Sequence, residues 1–583
     1  GLFSLAVAVI LLLSVLMTQR QRSSIVLQRN RGASGGQLTL TSWYEALLLT
    51  VPGAAIGLLA ARILLPGTDL LIPYRTTVAL AAGATVVLVG GSLPMFRRQL
   101  GSLQAPDRTP PRSTSRRVVL EALVLILAAG SVLMLRRRGQ IDEPGATPSF
   151  DLLLAVAPTI IGIAVGVLVL RAYPLAIRGL SWLGARARGM VAFVGFRRVM
   201  QQSRLPVLVI LLCISASTYA WVMRSSIAHG QEVSSWQAVG ADYSVESYGA
   251  GVALPTSIDF AELGPVDQIA FGRFFPRASA NVERSRATTE VLAIDAPTYA
   301  AMNAGTPGDP LLPGFMLVDP ARDVGTETNP IPAIVSPDWP SGLDLAVGDV
   351  FTLDLGNMSP VVEVRQVRDR YPDIPPRSRF VVFDLAAIQA FSQFPVAPTV
   401  AYIRAHRDAR PILRAGLAEQ STSAILTSRY QSLDAVAEDP FVEWAGDTLA
   451  VVFWFAALFA AVAAIATPAI ASAVRRRDLA YLRTVGADER QSTQMTVIEQ
   501  LPPLLVGTAA GMATGLLVSR LLDPALTLDV FTGNLVPTGL TVDWPALLVM
   551  TLGLFGALGL AVVIFVLVNR RTQLTAVLRI GEE

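Results

Sequence analysis

The sequence predicts a polytopic α-helical membrane protein of about nine spans with one mixed α/β extracytoplasmic domain. Three observations predict it. Hydrophobic residues make up 52% of the 583 and charged residues only 16%, against the ~25% charged of soluble domains. Mean hydropathy is +0.51. Apolar runs near the ~20 residues that a span requires recur along the chain, interrupted by one long polar stretch at 224–447.

In order, the runs are 1–17, 46–65, 77–95, 118–135, 152–170, 205–223, 448–474, 497–517 and 544–568. Gly1 already lies in an apolar run, with no basic region before it and no small-residue cleavage site after it. The run therefore reads as a span and not as a signal peptide, and the natural N-terminus is expected upstream. Arginine placement orients the spans, because short cytoplasmic loops collect basic residues. With the loop after the first span inside, the inner loops and tail hold 25 arginines and the short outer loops hold five. The triplet Arg136–Arg138 is the clear violation.

This orientation puts the polar stretch outside. Residues 223–446 carry 16 arginines and 27 acids, a net −11, so the rest of the chain is +14. The basic pI of about 9.2 thus reports loops facing the membrane, and no nucleic-acid partner is expected. Within the stretch, alternation at 349–355 and 361–367 predicts strands. Pro, Gly and Asp clusters at 305–313 and 371–376 predict turns. The segments 385–394 and 409–419 read as helices.

Absences exclude whole chemistries. All 47 basic residues are arginine. A phosphate-binding P-loop needs a lysine on the β/γ-phosphates, so the chain is not itself a P-loop ATPase. Schiff-base chemistry falls for the same reason. The single Cys213 allows no internal disulfide and no cysteine-rich zinc site. His229 and His406, 177 positions apart, cannot form a paired-histidine zinc helix. No Ser/His/Asp spacing is recognisable in the polar stretch. No catalytic residue, metal or cofactor is expected.

The most informative feature is an internal repeat. Residues 22–53 and 476–507, offset by 454, share nine of 32 positions: Arg22/Arg476, Arg29/Arg483, Gly32/Gly486, Ala33/Ala487, Gln37/Gln491, Thr39/Thr493, Glu45/Glu499, Leu47/Leu501 and Gly53/Gly507. Roughly two would be expected by chance for this composition. In each copy a span leads into a basic helix, 20–31 or 475–485. Gly32 or Gly486 ends it, since glycine accepts the left-handed backbone of a helix stop. Ser34 and Asp488 then stand three residues before Gln37 and Gln491, the spacing of a capping box that starts the next helix. The result predicts a short helix on the inner membrane surface, presented twice. Ile25, Val26, Leu479, Tyr481 and Leu482 form its apolar positions. Two copies with the same stop and cap favour a docking element over a simple lipid-anchored helix.

Here the sequence resembles the FtsX-like/MacB-type permeases of ABC transporters. The first copy reads Ser24-Ile25-Val26-Leu27-Gln28-Arg29-Asn30-Arg31-Gly32-Ala33-Ser34, with Gln37 and Glu45. The second reads Asp478-Leu479-Ala480-Tyr481-Leu482-Arg483-Thr484-Val485-Gly486-Ala487, with Gln491 and Glu499. The first departs at Gln28, where leucine is usual, and the second at Asp488, where serine is common. Ile334-Val335-Ser336 with Gly342–Asp349 resembles the family's extracytoplasmic β segment, and Ala576-Val577-Leu578-Arg579 with Gly581-Glu582 resembles its C-terminal tail.

The resemblance implies a domain plan: 1–96, a first membrane module incomplete at its N-terminus; 97–203, a linker with two extra spans and basic segments; 204–223, the first span of a second module; 224–447, the extracytoplasmic domain; and 448–583, the rest of the second module. It implies a non-enzymatic permease subunit of a bacterial cytoplasmic membrane, multi-pass, with its large domain outside. The partners would be a separate P-loop ATPase, the lipid bilayer and a second copy or pseudo-symmetric half. The ATPase-coupling helices would carry Arg22, Ile25, Arg29, Gly32, Ala33, Arg476, Leu479, Leu482, Arg483, Gly486 and Ala487. Such systems export or extract lipoproteins, peptides, lipids or drugs. The alternatives are a peptide-antibiotic sensing and resistance permease and a mechanical regulator of a cell-wall hydrolase.

Charges at span ends stand out as well: Glu45, Glu499, Arg62, Glu121 and Arg520. Glu45 and Glu499 recur in the repeat, and each can pair with a coupling-helix arginine. Gly83, Gly90, Gly91, Gly553, Gly556 and Gly559 are expected to permit close helix packing.

Overall fold

The computed structural model describes residues 28, 31–64, 77–78, 81–86, 88–89, 114–138, 152–186, 205–282, 285–308, 323–340, 345–376, 378–392, 394–484, 489–523, 528–533, 539–549, 551–553, 555–557, 559–560 and 563. In chain order, helices α1 (Gly35–Leu64), α2 (Thr114–Arg138), α3 (Leu152–Arg186) and α4 (Leu205–Val239) come first. Strands β1 (Tyr243–Ser247), β2 (Gln268–Val282) and β3 (Ser285–Ile294) follow, then α5 (Ala296–Asn303). Next come β4 (Ile331–Val335), β5 (Val350–Asp354), β6 (Val361–Val367), β7 (Phe380–Asp384), α6 (Leu385–Phe391) and β8 (Val400–Arg404). The chain ends through α7 (Arg410–Gln420), β9 (Ala424–Ser428), α8 (Arg429–Ala437), α9 (Pro440–Thr484) and α10 (Glu489–Leu522). Two compact units result. The first comprises Gly1–Arg224, Asp447–Leu526 and Val542–Glu583; the second comprises Ser225–Gly446 and Thr527–Thr541.

The first unit is helical. Among the described residues, five helices are long and apolar enough to cross a membrane: Gly35–Leu59, Ile160–Gly179, Val207–Val239, Pro440–Ile465 and Leu501–Leu522. Val118–Met134 and Trp544–Ala557 are apolar but shorter. The run at 1–17 lies outside the described residues, and of 77–95 only 77–78, 81–86 and 88–89 are described, all helical. Large apolar side chains such as Leu48 and Trp454 stand open on the helix surfaces, as lipid-facing residues do.

Its core is a seam of small residues. Ala456, Ala460, Ala463 and Ala464 of α9 pack with Val209, Ile210, Cys213 and Ile214 of α4. Ser217 Oγ donates to Phe453 O at 3.2 Å across the same seam. On α10, Gly507, Gly511 and Gly515 let the backbone approach α4. A Cβ at Gly511 would stand 2.8 Å from Leu211 O, and one at Gly515 would stand 2.6 Å from Thr218 Cβ. This is the small-xxx-small contact by which membrane helices gain packing energy without a hydrophobic driving force. It corrects the expectation placed on Gly83, Gly553, Gly556 and Gly559, which among the described residues have nothing within 4 Å where a Cβ would point. Gly90 and Gly91 lie outside the described residues.

A second correction concerns the basic segment after the seventh run. It is not a separate surface helix. Residues 476–484 continue the span within α9, a single helix of 45 residues. At ~1.5 Å per residue such a helix is about 68 Å long, well beyond a ~30 Å hydrocarbon layer.

The second unit is built on a nine-stranded mixed sheet in the order β3-β7-β4-β6-β5-β2-β8-β1-β9, with β2 also paired to β3. That extra pairing closes six strands into a ring, from which β8, β1 and β9 extend. β3–β7 and β4–β6 run parallel, and the other pairs antiparallel. Alternate residues point into the ring, so Ala278, Ala280, Val291, Ala333, Val335, Leu353, Val362, Val364, Val381 and Phe383 form one core. The other faces of β3 and β7 are also covered: Leu292, Ile294, Phe380 and Val382 join Tyr299 and Tyr402 in a second cluster. The strands expected at 349–355 and 361–367 are β5 and β6, and the helices expected at 385–394 and 409–419 are α6 and α7.

Thr527–Thr541 belongs to this unit, although sequence alone leaves it with the membrane module at 448–583. Phe531 stacks on Phe441 with ring centroids 5.3 Å apart. Gln231 Nε2 donates to Phe531 O at 3.1 Å, and Ser226 Oγ donates to Thr541 O at 3.0 Å. No periodicity within 527–541 announces these long-range contacts.

Candidate functional site

The first copy of the repeated element is described from Gln28 and from Arg31 onward. Gly32 stands at φ +94°, the left-handed stop expected of it. Ala33 N donates to Gln28 O at 3.1 Å, the six-to-one bond of a Schellman ending, and Arg31 N donates to the same oxygen at 3.2 Å. The new helix starts two residues later with a reciprocal cap. Gln37 N donates to Ser34 Oγ at 3.3 Å, and Ser34 N donates to Gln37 Oε1 at 3.0 Å. Two orphan amides of the helix start are thereby satisfied.

A third device went unread. Ala33, before the cap, packs on Leu38, which is 4% exposed. This is the staple that fixes the angle at which a chain joins its helix. The signal was present as apolar residues at positions −1 and +4 from Ser34. Stop, cap and staple together make a rigid, exposed corner. Gln28, Arg31, Gly32, Ala33, Gln37, Leu38 and Thr41 line a cavity of about 330 Å³ on it.

Other candidates fall differently. Arg22, Ile25 and Arg29 lie outside the described residues. In the second copy Arg476, Leu479, Leu482 and Arg483 are helical residues of α9, and Gly486 and Ala487 lie outside the described residues, as does Asp488. Glu45 is exposed on α1, eleven residues beyond Ser34. That is about 16 Å along a helix, so α1 does not bring it to the corner. Glu499 lies within α10. Glu121 has a defined partner: Arg171 Nε and Nη2 both reach its Oε2, at 2.9 and 2.7 Å, joining α2 to α3.

Cys213 is buried and unpaired with another cysteine, and His229 and His406 are exposed. Among the described residues no three of His, Cys, Asp and Glu are placed to hold a metal. In the second unit Arg429 Nε donates to Asp242 Oδ1 at 2.7 Å, and its guanidinium lies 4.1 Å from the Trp236 ring centroid. This pair sits where β1 and β9, the unit's first and last strands, lie side by side.

The arrangement is that of an α-helical membrane protein with an exposed helix–glycine–helix corner. Residues 450–574 match the FtsX-like permease C-terminal family model. No curated protein matches the chain. The match supports its assignment to the FtsX/MacB-type permeases, membrane proteins with an ABC-transporter permease role that generally work with an ATPase partner. It falls on the second copy of the repeat, whereas the corner's geometry is described on the first. The shared residues of the repeat connect the two.

Proposed function

We propose that this chain is the permease subunit that converts ATP hydrolysis by a separate ATPase into movement of the 224–447 domain outside a bacterial cytoplasmic membrane. The work done is export or extraction of a lipoprotein, peptide, lipid or drug, by a dimeric or pseudo-dimeric assembly. The coupling elements are residues 22–33 and 476–487. Arg22, Arg29, Arg476 and Arg483 supply charge, Ile25, Leu479 and Leu482 supply apolar contact, and Gly32-Ala33 and Gly486-Ala487 form the turns. Glu45 and Glu499 supply span-end charge for polar pairing. One observation supports this reading above the others: the glycine stop and cap of the corner at Gly32–Gln37 recur as a sequence pattern at Gly486–Gln491, inside the segment that matches the permease family, although Leu38 of the staple corresponds to Ser492. A rigid corner transmits a push that a frayed surface helix would absorb.

The test is co-purification. The full chain bearing Arg29→Glu and Arg483→Glu is expressed with its cognate ATPase and captured. Recovery of ATPase is expected to fall about tenfold or more, as for oppositely charged contacts turned repulsive. Undiminished recovery with the double reversal rejects the docking role.

A further inference from the structure

Strand β2 changes partners midway. Gln268–Gly272 pairs with β8, Ser279–Asn281 pairs with β5, and β3 runs along the other side from Gly272 to Val282. The register slips between Phe275 and Ala278, around Pro276, which has no amide to offer a neighbouring strand. Where β8 and β5 diverge from β2, a cavity of about 580 Å³ opens. Arg273, Phe275, Pro276, Arg277 and Leu355 line it, together with Gly251. Gly251 stands at φ +77°, and a Cβ there would come within 2.7 Å of Pro276 Cδ, so glycine lets this loop seat against the bulge.

The cavity's charge runs against its surroundings. Residues 223–446 carry a net −11, yet among the described residues no carboxylate lines it. Arg273 Nη1 donates to Ala397 O at 2.9 Å, and its guanidinium lies 5.3 Å from the Phe275 ring centroid. Its Nε is enclosed and, among the described residues, has no hydrogen-bond partner. Burial lowers the Arg273 guanidinium from its ordinary range, the mark of a cation short of compensation. Arg277 is exposed, and among the described residues neither arginine pairs with a carboxylate.

We propose that this cavity binds a small amphipathic anion, a phosphate or carboxylate carrying an apolar group. The planar fork of arginine suits both oxyanions. Phe275, Pro276 and Leu355 supply the apolar wall. The volume falls in the ~300–1,000 Å³ range of small-ligand sites and is too small for a folded partner. Binding here requires no ATPase, so it stands or falls apart from the coupling role.

The experiment uses the full chain in phosphatidylcholine nanodiscs, with phenyl phosphate as probe and saturation-transfer NMR as readout. Phenyl phosphate is expected to bind, phenol not to bind, and inorganic phosphate to compete only weakly. Arg273→Gln with Arg277→Gln should weaken phenyl phosphate about tenfold or more, and Arg277→Gln alone by a smaller factor. Equal binding by the double variant, or phenol binding as well as phenyl phosphate, overturns the proposal. If the double variant does not fold, Arg277→Gln decides: its side chain is exposed and its loss is locally harmless, so unchanged binding overturns the site. Repeating the titration in nanodiscs containing anionic lipid separates the sources. Loss of the probe signal identifies a lipid headgroup as occupant, and its retention identifies a soluble ligand; both uphold the site.

Discussion

Asp373 turns the chain at φ 64° with its side chain half-buried in the second unit. Tyr402 Oη donates to its Oδ2 at 2.6 Å, and its own amide donates to Gln237 O at 2.9 Å. Enclosure by protein, and then the charge of Glu246, raise its carboxyl well above the usual carboxylate range, against the Tyr402 bond that lowers it. An acid that holds its proton more tightly folded than unfolded favours the fold most at low pH. That contribution is complete below the ordinary value of 3.8 and is lost as pH rises through the raised, folded value. Asn at this position keeps an oxygen for Tyr402, tolerates the left-handed backbone and carries no titrating proton. Asp373→Asn should therefore flatten the fall in melting temperature of the second unit as pH rises from about 3.8 through the raised, folded value. Identical pH slopes for the two proteins would place the dependence elsewhere. The turn at 371–376 was legible from its prolines and Asp373. The burial was not, because Tyr299, Tyr402 and Gly240, which surround it, come from distant segments.

Helix contacts show the same division at the level of elements. The stop at Gly32 and the cap at Ser34 and Gln37 could be read directly, because each depends on residues within five positions of one another. Which glycines touch a neighbour could not be read. Gly553, Gly556 and Gly559 are as small and as closely spaced as Gly507, Gly511 and Gly515, and only the tertiary partner distinguishes them. Lipid and a neighbouring helix accept the same apolar residues, so hydropathy identifies a span without saying which face meets protein. The bulge in β2 was obscured for a related reason: Pro276 in mid-run argues against a strand unless the partner changes there. The glycine seam carries its own prediction. Gly515→Leu places a side chain where a Cβ alone would be 2.8 Å from Ser215 O and 2.6 Å from Thr218 Cβ. Forcing α4 and α10 apart should cost about 1–3 kcal/mol, read as a lower melting temperature in detergent. The same change at Gly553, which meets nothing within 4 Å among the described residues, should leave it unaltered. Equal losses at both sites would remove the seam's special role.

Charge is divided across the whole molecule. A net −11 sits in residues 223–446 and +14 in the remainder, and an overall +3 conceals both. If the polar stretch were cytoplasmic, the loops carrying 25 arginines would face outward, against the positive-inside bias. Arg136–Arg138 opposes this orientation, but three residues do not outweigh the other loops. Ala304 offers a direct probe, since it is exposed just after α5 and its side chain is small. The sole native cysteine, Cys213, is 1% exposed within α4, so Cys213→Ser gives a silent background at little structural cost. In that background Ala304→Cys should react fully with a membrane-impermeant maleimide added to intact cells. A cysteine replacing a residue of the inner loop at 97–117 should react only after permeabilisation. The reverse pattern would invert the topology and carry the coupling elements to the wrong side for any ATP-dependent partner. Sequence alone fixes the sign of this prediction, because a topology is a sum over many weak charges and needs no knowledge of how the helices pack.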